Sequence, residues 1–276
     1  MATKKVALVT GASSGIGTAV ALALLGRGDT VYGAARRVER MQGLLGRGAH
    51  VVPLDLTDER SIEAGVGTVL DREGRIDVLV NNAGYGSYGA IEQVSLAEAR
   101  RQFEVNLFGL ARVTQLALPA MRAQRAGHVV NVSSIGGKIV TPMGGWYHAT
   151  KHALEGWSDA LRMEVEPFGI RVIIVEPGAI ATEWAGIARD GLLAASGDGP
   201  YQDVARAFAS MVSPDGPFSG SPPAVVADTI LRAVTARRPR TRYVVGQGAR
   251  PFLLARALLP DRAYDRLVRR VLRARA

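Results

Sequence analysis

The chain of 276 residues is 47% hydrophobic and 21% charged and contains no cysteine. Those figures admit one large α/β core, exclude a disulfide framework, a Cys-based metal site and a Cys nucleophile, and lead us to expect a reducing, cytoplasmic setting. The formal net charge is +9, yet residues 1–236 hold 22 Lys and Arg against 23 Asp and Glu, whereas residues 237–276 hold 12 Arg against 2 Asp. A neutral body with a basic end does not suggest a nucleic-acid partner.

In chain order, short β-branched apolar runs alternate with longer segments of helical period. The predicted strands are Val6 to Thr10, Val31 to Ala35, His50 to Leu54, Asp77 to Asn81, His128 to Ser133, Arg171 to Pro177 and Arg242 to Val245. The main predicted helices are Gly15 to Arg27, Ser61 to Glu73, Leu96 to Gln124 and Trp146 to Pro167. Fully apolar strands separated by helices indicate a parallel sheet covered on both faces, a doubly wound Rossmann fold of about seven strands in a single domain. Such folds bind ligands beyond the carboxyl ends of the strands. Residues 1–245 are expected to form this dinucleotide-binding and catalytic domain. An irregular, Gly- and Pro-rich insertion over about 183–223, which includes Pro214, is expected to form a substrate lid, and residues 246–276 a basic amphipathic helical extension. The first residues enter the first strand without a preceding apolar stretch, so a secretory leader is not expected. No run is long enough to span a membrane.

The first strand runs into Thr10-Gly11-Ala12-Ser13-Ser14-Gly15-Ile16-Gly17, after which a helix opens. In this TGxxxGxG pattern the sequence resembles the short-chain dehydrogenase/reductase family. Gly11 permits the tight turn, Gly15 the approach of a pyrophosphate to the backbone of Ser13, Ser14 and Ile16, and Gly17 close packing of helix on strand. The second strand ends in Ala35-Arg36-Arg37, where an NAD-preferring enzyme is expected to place a carboxylate against the ribose hydroxyls. Ala35 cannot make that contact, whereas Arg36, with Arg37 as a weaker candidate, can grip a 2′-phosphate. The expected cofactor is therefore NADP(H). The resemblance further implies that Asp55 and Leu56 contact the adenine, that Asn81-Asn82-Ala83-Gly84 closes around the cofactor through Asn82, Ala83 and Gly84, and that the turn Pro177-Gly178-Ala179-Ile180-Ala181-Thr182 holds the nicotinamide carboxamide through Ile180 and Thr182.

Asn106, Ser134, Tyr147 and Lys151 match the family's catalytic tetrad in spacing. Tyr147 and Lys151 stand four apart on one predicted helix face. A nearby ammonium favours a phenolate, so Lys151 is expected to bring the Tyr147 pKa down from near 10. Ser134, thirteen residues before the tyrosine, is preferred over Ser133 as the donor to the substrate oxygen. By resemblance, Lys151 also binds the nicotinamide ribose and Asn106 holds a water linked to Lys151. The expected activity is an NADP(H)-dependent interconversion of a carbonyl and a secondary alcohol, with Tyr147 as general acid/base; a non-catalytic NADP-binding sensor is the alternative. Substrate contacts are expected from Tyr85, Ser87, Tyr88, Ile135, Gly136, Met143, Trp146, Trp184, Tyr201, Phe208 and Met211, a mostly apolar set that suits a hydrophobic substrate. The tyrosine segment, Tyr147 to Gly156, resembles the hydroxysteroid and retinol dehydrogenase branch. Four histidines form no metal motif. A homo-oligomer is implied by the resemblance. For the extension, packing on the parent domain, packing on a second subunit and peripheral contact with an anionic membrane all stay open.

Overall fold

A computed structural model describes residues 4–213 and 216–273; Pro214 of the insertion and the last three residues of the extension lie outside the described residues. The strands are β1 (Val6–Thr10), β2 (Thr30–Ala35), β3 (His50–Pro53), β4 (Val78–Asn81), β5 (Gly127–Val132), β6 (Ile170–Pro177) and β7 (Arg242–Val245). They form one parallel sheet in the order β3-β2-β1-β4-β5-β6-β7. The helices are α1 (Gly15–Gly26), α2 (Gln42–Leu45), α3 (Glu59–Glu73), α4 (Leu96–Phe103), α5 (Gly109–Gln124), α6 (Gly145–Val165), α7 (Glu183–Ser196), α8 (Gln202–Met211), α9 (Ala224–Thr235), α10 (Ala249–Leu258) and α11 (Asp261–Arg273). The expected doubly wound architecture is present.

Both sheet faces are buried, and strand alternation divides them. Ala7 and Val9 of β1, Val78 and Val80 of β4, and Ile173 and Val175 of β6 face one layer with Val20 and Leu24 of α1 and Ile230 of α9. Their neighbours Val6 and Leu8, Leu79, and Val172 face the other, with Ile62 and Val66 of α3, Val113 and Met121 of α5, and Leu161 of α6. This period of two, apolar on both sides, is why the strands read as continuous hydrophobic runs. The strand order reverses between β1 and β4, which opens a crevice at their carboxyl ends.

Two elements differ from expectation. The predicted helix Leu96 to Gln124 is interrupted by a π-helical turn, Glu104–Phe108, in which Asn106 sits. Such turns insert a residue into the helical ladder and are frequent at functional sites. The insertion after β6 is largely helical: α7 and α8 occupy most of it, with the Gly and Pro residues at their ends and connections. The extension forms α10 and α11; α11 packs its apolar side on α8, and α10 packs on β7 but leaves Leu254 and Leu258 exposed. Tyr264 and Leu272 are buried there, while Arg262, Arg266, Arg269 and Arg270 face outward. No described helix is long and apolar enough to cross a membrane.

Candidate active site

A cavity of about 730 Å³ lies along the carboxyl ends of the strands. Its floor is the turn after β1. Gly11 and Gly15 there have φ of +69° and +54°, the left-handed region that glycine enters without strain. A Cβ on Gly11 would stand 2.8 Å from Ala83 Cα, and one on Gly15 would stand 2.9 Å from Thr182 Cγ2. Ser14, the residue before α1, makes no side-chain cap, and the first turn holds no acidic residue. The helix therefore presents N–H groups and the positive end of its dipole toward an anion. Ser13, Ser14, Gly15 and Ile16 line the cavity, while Gly17 lies beneath, packed against Gly11 and Asn82.

The neighbouring loops are tied to this turn. Asn82 donates from Nδ2 to the Thr10 carbonyl at 3.0 Å, and the backbone N–H of Ala83 donates to Thr10 Oγ1 at 3.1 Å. Arg36 and Arg37 follow β2, exposed and on the cavity wall, and neither is in an ion pair among the described residues. Asp55 also lines the cavity, but its Oδ1 accepts from the Thr57 N–H and hydroxyl at 2.9 and 2.8 Å, an Asx turn that fixes the loop. Leu56, Ala83, Gly84, Pro177, Gly178, Ile180 and Thr182 complete the same wall. A glycine cradle, an uncapped helix start and two unpaired guanidinium groups fit a phosphorylated dinucleotide.

At the other end stand Ser134, Tyr147 and Lys151. Tyr147 and Lys151 are successive residues on one face of α6, with the Lys151 Nζ 6.0 Å from the phenol ring centre. Lys151 donates to the Val132 carbonyl at 3.0 Å. Burial lowers its pKa to about 8, partly offset by Glu155. Burial pushes Tyr147 up to about 12, with a hydrogen bond from Ser134 pulling the other way. This differs from the expectation of a Tyr147 pKa brought down by Lys151: in a buried position desolvation penalises the phenolate, and that is the largest cause here. Tyr147 is thus a phenol throughout the neutral range, with a proton to give. Ser134 Oγ accepts from the Gly136 N–H at 3.0 Å, which holds the hydroxyl at the cavity edge.

Asn106 is buried and does not line the cavity. Its Nδ2 donates to the Tyr85 carbonyl at 2.9 Å and to Thr150 Oγ1 at 3.1 Å, and its Oδ1 accepts from the Tyr85 N–H at 3.0 Å. Asn106 therefore clamps the loop after β4 to α6, beside Lys151. Of the apolar residues expected around the substrate, Tyr85, Tyr88, Ile135, Gly136, Trp184, Phe208 and Met211 line the cavity, whereas Ser87, Met143, Trp146 and Tyr201 do not. Met143 instead adopts φ +68°, uncommon for a non-glycine residue, and its carbonyl accepts from the Gly89 N–H at 2.8 Å. The Tyr88 ring lies tilted at 5.5 Å from that of Tyr147, and the Trp184 ring lies 5.3 Å from it.

Two features went unread in the sequence. His148 is bonded through Nδ1 to the Gly136 carbonyl at 3.0 Å, and its Nε2 accepts from the Thr141 N–H at 3.1 Å; burial lowers its pKa to about 4, so it is a neutral brace for the Ser134 turn. Behind Lys151, the buried carboxyls of Glu155 and Glu176 share Arg242, at 3.0 and 3.2 Å, and Lys138 reaches Glu155 at 3.0 Å. No motif announces this cluster, because strands β6 and β7 and helix α6 bring it together. Burial and then Glu155 raise the Glu176 pKa to about 7, from an ordinary 4.5. The folded protein thus binds a proton at Glu176 that the unfolded chain releases, and stability declines as pH rises through that interval. Glu176→Gln is expected to stabilise the protein by on the order of 2 kcal/mol near pH 8, with most of the gain gone near pH 5. Urea midpoints at the two pH values measure this, and an equal gain at both would refute it.

A doubly wound sheet, a phosphate cradle at its first turn and a buried Tyr/Lys pair across the cavity define a dinucleotide-dependent oxidoreductase site. Residues 5–191 match the short chain dehydrogenase family, and the chain belongs to that family. It is 38% identical to a short-chain dehydrogenase of known structure from Streptomyces avermitilis, with a TM-score of 0.82 and all of both chains covered. It is 35% identical to the NADPH-dependent 3-dehydrocapnine reductase of Ornithobacterium rhinotracheale, covering 95% of each chain. It is also 34% identical to the 3-ketodihydrosphingosine reductase of Bacteroides thetaiotaomicron, covering 93% of this chain and 94% of the other.

Proposed function

We propose that the protein is an NADP(H)-dependent reductase that converts the carbonyl of a hydrophobic compound into a secondary alcohol. The observation that carries this reading is the buried, protonated Tyr147 at the meeting of Ser134, Lys151 and an aromatic wall. A nicotinamide dinucleotide held by the glycine cradle and the turn through Ile180 and Thr182 would supply the hydride that the carbonyl carbon takes up. As charge develops on the carbonyl oxygen, Ser134 donates a hydrogen bond to it and Tyr147 passes its proton, so that no alkoxide is released into an apolar pocket. Lys151 contributes positive charge beside Tyr147 and restores its proton, and Asn106 fixes the loop against which Lys151 lies. Near neutrality Tyr147 is the protonated phenol, the form that the reduction step consumes.

The cofactor assignment rests on Gly11, Ser13, Ser14, Gly15, Ile16 and Gly17 for the pyrophosphate, Arg36 and Arg37 for the 2′-phosphate, and Asp55, Leu56, Asn82, Ala83, Gly84, Pro177, Gly178, Ile180 and Thr182 for the remainder. The name of the Ornithobacterium relative supports NADPH. In this reading residues 1–245 form the catalytic domain and α7 with α8 its lid. The absence of cysteine supports a cytoplasmic setting and family membership a homo-oligomer. Arg36→Asp tests the cofactor choice: KM for NADPH is expected to rise by roughly 10- to 100-fold, the loss of a charge-assisted phosphate contact, with KM for NADH little changed. Equal changes for the two cofactors would remove Arg36 from this role.

A further inference from the structure

The cavity does not end at Tyr147. Tyr88, which packs against Tyr147, stacks on Phe208 of α8 at 5.3 Å, and α8 packs on α11. On α11 the residues that line the cavity are Tyr264, Val268, Val271 and Leu272, spaced so that they share one helix face. Phe252 of α10 also lines it and meets Phe218 at 5.6 Å. Arg262, Arg266, Arg269 and Arg270 of α11 point the other way. All the cavity-lining residues of the extension's two helices are hydrophobic, whereas the charged lining residues, Arg36, Arg37, Asp55, Arg101 and Lys151, belong to other parts of the chain. The one side-chain polar group among these lining residues is the Tyr264 hydroxyl, which is buried without a partner; the rest of the helical wall is hydrocarbon, with no charged group to solvate an ionic ligand.

We propose that the C-terminal extension builds the far wall of a second, apolar subsite, which takes a hydrocarbon tail carried by the carbonyl substrate. The proposal rests on the reductase reading for the identity of the head group. It accounts for the amphipathic character of the extension, since the apolar stripe of α11 measures the tail and the arginine face keeps the helix solvated on its outer side.

The test is direct binding of unbranched methyl ketones, from butan-2-one to dodecan-2-one, to the full chain saturated with NADP+. Tryptophan fluorescence gives the readout, since Trp184 lies 5.3 Å from Tyr147. Affinity is expected to rise about three- to fourfold per methylene until the tail meets α11. Val268→Trp is expected to weaken the longest ketones by about tenfold or more while leaving the shortest within about twofold. Val268→Ala, which asks less of folding, is expected to move the limit to longer chains. A flat chain-length series, or a Val268→Trp effect equal for short and long ketones, would overturn the subsite. If instead the series and its limit appear but no ketone is reduced with NADPH, the subsite stands and the assigned chemistry fails.

Discussion

Tyr147→Phe is expected to lower kcat for ketone reduction by about 10²- to 10⁴-fold, the range carried by a positioned proton donor, with NADPH affinity unchanged. The substitution removes one oxygen and keeps the ring that packs against Tyr88 and Trp184, so the loss belongs to proton transfer and not to the shape of the cavity. Burial holds the phenol at about 12, so deleting the hydroxyl removes no charge near neutrality, and the variant is expected to be about as stable as the wild type. Steady-state kinetics with a fluorescence titration of NADPH separates the two contributions. Retained turnover in the variant would require a different proton donor.

Gly17→Ala is the second large effect, and it acts through the cofactor. A Cβ at Gly17 would fall within contact of the Gly11 carbonyl and 2.7 Å from Asn82 Nδ2. Both belong to the turn that forms the phosphate cradle, and the Gly11 carbonyl, being backbone, cannot swing aside as a flexible side chain would. The start of α1 must then move away from the loop, which costs about 1–3 kcal/mol of stability and withdraws the helix N-terminus from the pyrophosphate. NADPH affinity is expected to fall by roughly 10- to 100-fold. Gly26→Ala on the same helix is the control, since a Cβ there meets nothing within 4 Å; it is expected to leave NADPH affinity unchanged. Similar NADPH affinities for the two variants would show that the close approach at Gly17 does not shape the cradle.

What the sequence disclosed and what it hid follow one physical division. Strands buried on both faces must be apolar at every position, so Val6 to Thr10 and Arg171 to Pro177 were visible as runs, and the alternation with helices fixed the topology class. The phosphate turn was visible because only glycine tolerates its dihedrals and contacts at Gly11 and Gly15. Lys151 and Tyr147 were visible by helical spacing, but their protonation was not. Spacing reports proximity, whereas burial sets the cost of charge, and burial is the largest influence on both groups. The π-turn that carries Asn106 was not legible: an asparagine in mid-helix is mildly unfavourable and marks the position, but nothing in Glu104 to Phe108 shows that the helical ladder takes in an extra residue. Long-range assemblies were hidden altogether. Glu155, Glu176 and Arg242 come from three elements, and nothing local in any of them signals a shared site. The apolar stripe at Tyr264, Val268 and Leu272 was legible as an amphipathic helix, but the surface it would cover was not, since periodicity names a face without naming its neighbour.

The most direct measurement of the central claim is a single turnover of a ketone with NADPH deuterated at the reactive position of the nicotinamide, in wild type and in Tyr147→Phe. The account predicts that wild type yields the secondary alcohol with deuterium on the carbinol carbon and a hydroxyl proton from solvent exchange, and that Tyr147→Phe binds the same NADPH but forms this product about 10²- to 10⁴-fold more slowly. Product without deuterium at carbon, or equal rates in the two proteins, would contradict it.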